Sequence, residues 1–243
     1  MNFSEIRREF FGKDLSSCKA LLQEFPNHKY YEKLNNLIEN EKTRLNHLHI
    51  FENDLKRMGN TFVAGVDEAG RGPLAGPIIA ACVILPDNFY IYGIDDSKKL
   101  TEERREHLFD VITKKALAIG IGIVDQKEID DINIGKADNL AMKKAIESTN
   151  LVCDHILSDA FIINDISINQ TPLIKGDARS ISIAAASIVA KVTRDRIMAD
   201  YHDKYPQYSF LNNKGYGTKE HIEAIQKHGI CPIHRKTFVK NIL

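Results

Sequence analysis

The sequence predicts an α/β protein, with a mixed β-sheet flanked by helices and preceded by a helical N-terminal extension. Residues 1–60 carry Leu and Ile at helical spacing and no strand-like run. From Thr61 onward, short runs rich in Val, Ile and Ala alternate with amphipathic segments. The first two strand-like runs follow one another closely, while later ones are separated by helices. That order suits a sheet with antiparallel and parallel parts and helices on its faces. The chain is therefore divided into a helical extension, 1–60, and an α/β unit with C-terminal helices, 61–243.

Within the extension, Leu21, Leu22 and Phe25, then Leu34, Leu37, Ile38, Leu45, Leu48, Ile50 and Leu55, predict two or three helices. The longest is expected over 29–57, with Met58-Gly-Asn60 as its stop. Residues 61–67 and 78–85 read as buried strands. A helix over 100–115 starts at polar Thr101 and buries Leu108, Val111 and Ile112. A third strand is expected over 116–124 and a helix over 136–148. Short strands follow at 155–159 and 171–175. Residues 180–205 read as one long helix and 218–228 as another, closed by Gly229 with Pro232 beyond.

Composition sets few limits. The 243 residues are 27% charged and 43% hydrophobic, with 33 basic against 33 acidic side chains. The distribution says more. Residues 61–174 hold 18 acidic and 11 basic side chains; residues 175–243 hold 6 and 12. An acidic middle and a basic end fit a cation site beside a polyanion groove. Cys18, Cys82, Cys153 and Cys231 have neither CxxC nor zinc-finger spacing, so disulfides and structural zinc are not expected and a reducing cytoplasm fits. Charges at Glu5, Arg7, Arg8, Glu9, Lys13 and Asp14 leave no signal-peptide core. The longest apolar run, between Pro73 and Pro86, is too short for a bilayer.

The most informative segment is 67–77, Asp-Glu-Ala-Gly-Arg-Gly-Pro-Leu-Ala-Gly-Pro. Two adjacent acids at a strand end are costly unless a cation binds them. Neighbours on a regular strand point to opposite faces, so both serve one site only if the strand ends there. Asp159 and Asp177 follow two further apolar runs. If the sheet gathers those ends, four carboxylates converge, a set that suits hard divalent ions such as magnesium or manganese. Asp154 and Asp165 compete with Asp159 for the third position. Bare glycine backbone beside the acids allows close approach of a phosphate or sugar. On a helix, Ser187, Lys191 and Arg194 share one face. With Ser97, Lys98, Lys99 and Arg196 they are candidate phosphate contacts, and 234–236, His-Arg-Lys, is a candidate duplex contact.

The segment 66–77 resembles the signature of bacterial ribonuclease HII, the type 2 ribonuclease H. The likeness continues, in order, through Asp96-Ser-Lys-Lys-Leu100, Lys175-Gly-Asp-Ala-Arg-Ser180, the stretch 183–196, Lys214-Gly-Tyr-Gly-Thr-Lys-Glu-His221 and His234-Arg-Lys-Thr-Phe238. It implies a ribonuclease H-like fold, with Asp67, Glu68, Asp159 and Asp177 as catalytic carboxylates holding two Mn2+ or Mg2+ ions. It implies that Gly70, Arg71 and Gly72 read a ribonucleotide 2′-hydroxyl through backbone groups, and that Tyr216 packs on the following sugar. The implied activity is metal-dependent endonucleolytic cleavage of the RNA strand of RNA/DNA hybrids, and 5′ of single ribonucleotides in duplex DNA, leaving 3′-hydroxyl and 5′-phosphate ends. A cytoplasmic monomer with nucleic acid as its partner is expected. Competing readings are a type 3 ribonuclease H acting on longer RNA tracts, a magnesium-binding receiver-like module, and a silent hybrid-binding protein. Arg71 and the helical extension count against the first. The glycine loop and basic C-terminal third are unexplained by the second. The extension, near neutral with 10 basic and 9 acidic residues, is expected to add stability but no catalytic group, so that a chain starting near Gly59 would still cut.

Overall fold

The computed structural model describes residues 2–242; Met1 and Leu243, the outer ends of the two divisions above, lie outside the described residues. Four helices form the extension: α1 Phe3–Phe10, α2 Leu15–Gln23, α3 Tyr31–Leu48 and α4 Ile50–Arg57. Asn2 and Glu5 close a capping box on α1. The single helix expected over 29–57 is broken at His49, whose buried ring meets the Phe89 carbonyl at 2.9 Å. A side chain bonded inward to a distant loop turns the chain there, which the leucine spacing does not reveal.

The α/β unit holds strands β1 Val63–Ala69, β2 Ile78–Ile84, β3 Ala118–Val124, β4 His155–Asp159 and β5 Asn169–Leu173. Its helices are α5 Glu102–Lys115, α6 Gln126–Ile132, α7 Ile134–Glu147, α8 Ile181–Lys204, α9 Phe210–Asn213, α10 Lys219–His228 and α11 Lys236–Val239. The sheet order is β3-β2-β1-β4-β5; β1, β2 and β3 pair antiparallel, and β4 joins β1 and β5 in parallel. The mixed sheet is thus as expected. Thr101, Ser180 and Thr218 each cap the helix that follows, through a side-chain oxygen. Strand β5 ends earlier than expected, because Lys175 takes a left-handed conformation (φ 57°) and turns the chain. Helix α6 was not anticipated; Asp125 caps it by accepting from the Lys127 and Glu128 N–H groups.

Every residue of β2 is buried. Ile79, Ala81 and Val83 face α8 and the extension, and Ile78, Ala80, Cys82 and Ile84 face α7. Helices press closely on both faces at glycines: a Cβ on Gly65 of β1 would lie 2.1 Å from the Ser182 backbone, and one on Gly122 of β3 1.9 Å from the Ala141 carbonyl. The extension belongs to the same interior. Ile6, Phe10, Leu22, Leu34, Ile38 and Leu45 lie in one continuous core with β2, α5 and α8. Backbone bonds from Gly12 to Tyr92, Tyr92 to Lys13 and Leu15 to Tyr90 stitch it to the loop after β2.

Candidate active site

Strand β1 does not end at its acids. The ladder runs on through Asp67↔Ala81, Glu68↔Ala80 and Ala69↔Ile79. Strand pairing thus runs past both acids, against the expectation of a terminating strand, yet the Glu68 carboxyl still comes within hydrogen-bonding reach of the Asp67 carboxyl. Asp67 lies on the α8 side with the Ser187 hydroxyl, and Glu68 lies toward Arg71 and Asp138 of α7. The neighbouring strand unites them. The β1–β4 ladder closes at Val66↔Ser158, so Asp159 stands at the open end of β4, close enough to act on both. Asp159 Oδ1 accepts from the Gly176 N–H at 2.7 Å. That bond ties it to the turn carrying Asp177, whose carboxylate receives Lys98 Nζ at 3.4 Å.

The competing acids serve structure. Asp154 Oδ2 accepts from the Thr61 and Phe62 N–H groups, each at 2.8 Å, and Asp165 sits in a left-handed turn of the loop before β5.

Burial, and then the Glu68 charge, pushes the Asp67 carboxyl well above its usual range. Burial raises Glu68 too, with Asp159 adding and Arg71 opposing. Asp177 is raised by burial and by Asp96 and Asp159, against Lys98. A fifth acid, Asp138, is pushed to about 7 by burial and the Glu68 charge. The sequence reading missed it, although its place on the Ala137–Ala141–Ala145 face of α7 marks it as inward. The donor set is all oxygen. Among the described residues, no group of three or more His, Cys, Asp and Glu side chains is gathered closely enough to enclose an ion. Like charges raise one another's pKa here, and a bound cation would relieve that repulsion.

The glycine loop borders this cluster. Gly70 adopts φ 104°, and a Cβ there would sit 2.3 Å from Arg194 Nε, so only glycine fits. Gly72 faces the ring of Tyr216, which is half-exposed. Arg71 pairs with Asp138 Oδ2 at 3.2 Å and covers the exposed ring of Phe161. Ser97 and Ser187 are buried and share a 2.9 Å hydroxyl bond, and Lys98 is exposed. Lys191 is mostly covered and bonded to Asp195 at 2.6 Å.

Arg194 is a correction. It is 1% exposed, and its guanidinium donates to the carbonyls of Ala75, Pro77 and Lys214, so it braces loops and does not reach a phosphate. Its place on the face of Ser187 and Lys191 is the inward one. The candidate duplex contact at 234–236 is corrected likewise. His234 is buried against His221, Arg235 is fully buried beneath the glycine loop, and Lys236 alone is exposed. Arg196 pairs with Glu106 on the surface.

Compared with known families, residues 64–241 match the family model described as Ribonuclease HII. The chain belongs to the ribonuclease HII family. The Ribonuclease HII of Caldanaerobacter subterraneus subsp. tengcongensis is 53% identical over 237 residues, covering 93% of this chain and 98% of that one. Among solved structures, ribonuclease H2 from Pyrococcus horikoshii OT3 superposes with TM-score 0.65 at 27% identity, covering 75% and 97%. Bst-RNase HIII, solved in complex with Mn2+, shares the fold at TM-score 0.55 and 20% identity, over 72% and 65%. As a ribonuclease HII, the chain is a ribonuclease H-type endonuclease, a phosphodiester hydrolase acting on nucleic acid. No helix among the described residues is long and apolar enough to cross a membrane.

Proposed function

We propose that this ribonuclease HII cuts the RNA strand of RNA/DNA hybrids and cuts 5′ of a single ribonucleotide in duplex DNA, leaving 3′-hydroxyl and 5′-phosphate ends. The observation that supports the reading is the mutual electrostatic influence among Asp67, Glu68, Asp159 and Asp177, beside a loop of Gly70, Arg71 and Gly72 whose last glycine faces Tyr216.

The carboxylates suit magnesium or manganese: every donor is a hard oxygen, and burial together with neighbouring negative charge resists ionisation of Asp67, Glu68 and Asp177 until a cation neutralises them. Asp67, Glu68, Asp159 and Asp177 would hold the metal. When bound, a pair of divalent ions supplies Lewis acidity to the attacking and leaving oxygens of an in-line displacement. The chain's own residues do the rest. The loop backbone orients the sugar through its 2′-hydroxyl, the group that separates RNA from DNA at one position. Tyr216 offers a ring face to the next sugar. Lys98, beside Asp177, brings an exposed positive charge to the phosphate being cut. A cytoplasmic monomer fits this activity.

Duplexes carrying one ribonucleotide, four, or none test the reading. Cleavage of the first two in magnesium or manganese, and of none in chelator, is the expected result. Cutting of the four-ribonucleotide duplex alone would favour a type 3 activity, and full activity in chelator would refute the metal assignment.

A further inference from the structure

Arg235 is among the largest fully buried side chains, and among the described residues no carboxylate lies within ion-pair distance of it, Asp130 acting only from farther off. Its guanidinium donates instead to three backbone carbonyls of one loop: Nε to Gly76 at 2.9 Å, and the two terminal nitrogens to Arg71 at 3.0 Å and Gly70 at 2.6 Å. Burying an unpaired cation is expensive, and such a group persists where its hydrogen bonds fix something of use. Burial beside Arg194 pulls its pKa down to about 9, so the group is still cationic at neutral pH.

The peptides of this loop are trans, and in a trans peptide the C=O and the following N–H point in opposite directions. Drawing the Gly70 and Arg71 carbonyls inward to Arg235 turns the N–H groups of Arg71 and Gly72 outward. Both residues are exposed, and among the described residues neither N–H has a protein acceptor. Two consecutive free donors thus lie on the exposed side of the loop, where Gly72 borders the Tyr216 ring. The same C-terminal segment fixes the other wall. His234 Nε2 meets His221 Nε2 at 3.0 Å, and His221 Nδ1 meets the Tyr216 carbonyl at 2.9 Å.

We propose that Arg235 is the positioning residue for ribose recognition: it sets the peptide planes of the glycine loop so that the Arg71 and Gly72 N–H groups face the 2′-hydroxyl. This rests on the reading of the loop under "Proposed function". Arg71 contributes its backbone to that recognition, while its side chain is engaged by Asp138. Lysine at 235 keeps the charge but lacks the planar fork that holds three carbonyls at once.

The test measures binding in chelator, where nothing is cut, of a duplex with one ribonucleotide and its all-deoxy counterpart. The wild-type chain is expected to prefer the ribonucleotide duplex at least fivefold. Arg235→Lys should bind both within twofold of each other, with affinity for the all-deoxy duplex unchanged. Val83→Ala, a core change of comparable thermal cost away from the loop, should keep the preference, which separates positioning from loss of stability. A preference kept by Arg235→Lys overturns the inference alone. Equal binding of both duplexes by the wild-type chain overturns the loop reading and the inference together. Should Arg235→Lys fail to fold, backbone amide spectra of the wild-type chain decide: the Arg71 and Gly72 signals should move with the ribonucleotide duplex and not with the all-deoxy one, and unmoved signals refute the inference.

Discussion

Asp67 shows how one residue sets activity against stability. It lies inside a paired strand, 3% exposed, with its carboxyl raised by burial and by Glu68. A carboxyl whose folded pKa lies above its unfolded value favours folding only while protonated. That contribution is full below the unfolded value and is lost as pH rises through the folded one. Asp67→Asn removes the ionisation. Without metal, the variant should melt above the wild-type chain at pH 8, and the gap should shrink toward pH 4; a constant gap in thermal scans would refute this. In metal, the same change should lower cleavage about a thousandfold or more, since a lost metal ligand costs several kcal/mol in the transition state. Asp67, Glu68, Asp159 and Asp177 could be singled out as candidates in the sequence because each closely follows an apolar run, although β1 continues past its two acids and Asp177 lies in the turn after β5. Asp138 and Arg235 could not be. The Ala137–Ala141–Ala145 spacing marks Asp138 as inward but not what it meets, and no local spacing shows that Arg235 lies under the glycine loop.

Among the elements, α8 joins the site to everything else. It lies so close on β1 that Gly65→Ala would drive a Cβ into the Ser182 backbone. Backbone cannot yield as a side-chain tip can, so overpacking of about 1–3 kcal/mol is expected. At about 2–4 °C per kcal/mol for a chain of this size, the melting temperature should fall measurably. The first turn of α8 is held from outside. Glu52 of α4 accepts the Ser180 hydroxyl at 2.5 Å, the Ser182 hydroxyl at 2.6 Å and the Ser182 N–H at 3.1 Å. Glu52→Ala leaves those donors without their acceptor and should cost about 1–3 kcal/mol, whereas Glu52→Gln keeps an acceptor oxygen and should cost less. Equal melting temperatures for both variants would show that the cap contributes little. Strands and long helices were legible because their periods are strong. The break at His49 and the early end of β5 were not, because a distant carbonyl and a left-handed Lys175 decide them.

For the whole molecule, the division at residue 60 marks a change of composition and not a gap in the core. The extension's apolar residues meet β2 and α8 directly, and Glu52 reaches the helix that follows Asp177. A chain starting at Gly59, which sequence alone suggests would still cut, is now expected to lose cooperative unfolding and to bind a hydrophobic dye. A sharp calorimetric transition within a few degrees of the full-length protein would restore the simpler view. The charge asymmetry was likewise only half informative. The acidic middle holds three of the four candidate carboxylates, Asp177 coming from the basic end, and two cations of that end, Arg194 and Arg235, work in the interior as loop braces. The shared core also has a consequence for synthesis. The helices made first find their partners in α8, more than a hundred residues later. At about 5–20 residues per second, their apolar faces wait on the order of ten seconds on the ribosome. During that interval the nascent extension is expected to engage chaperones, and substitutions in it should show first as lower yield in the cell.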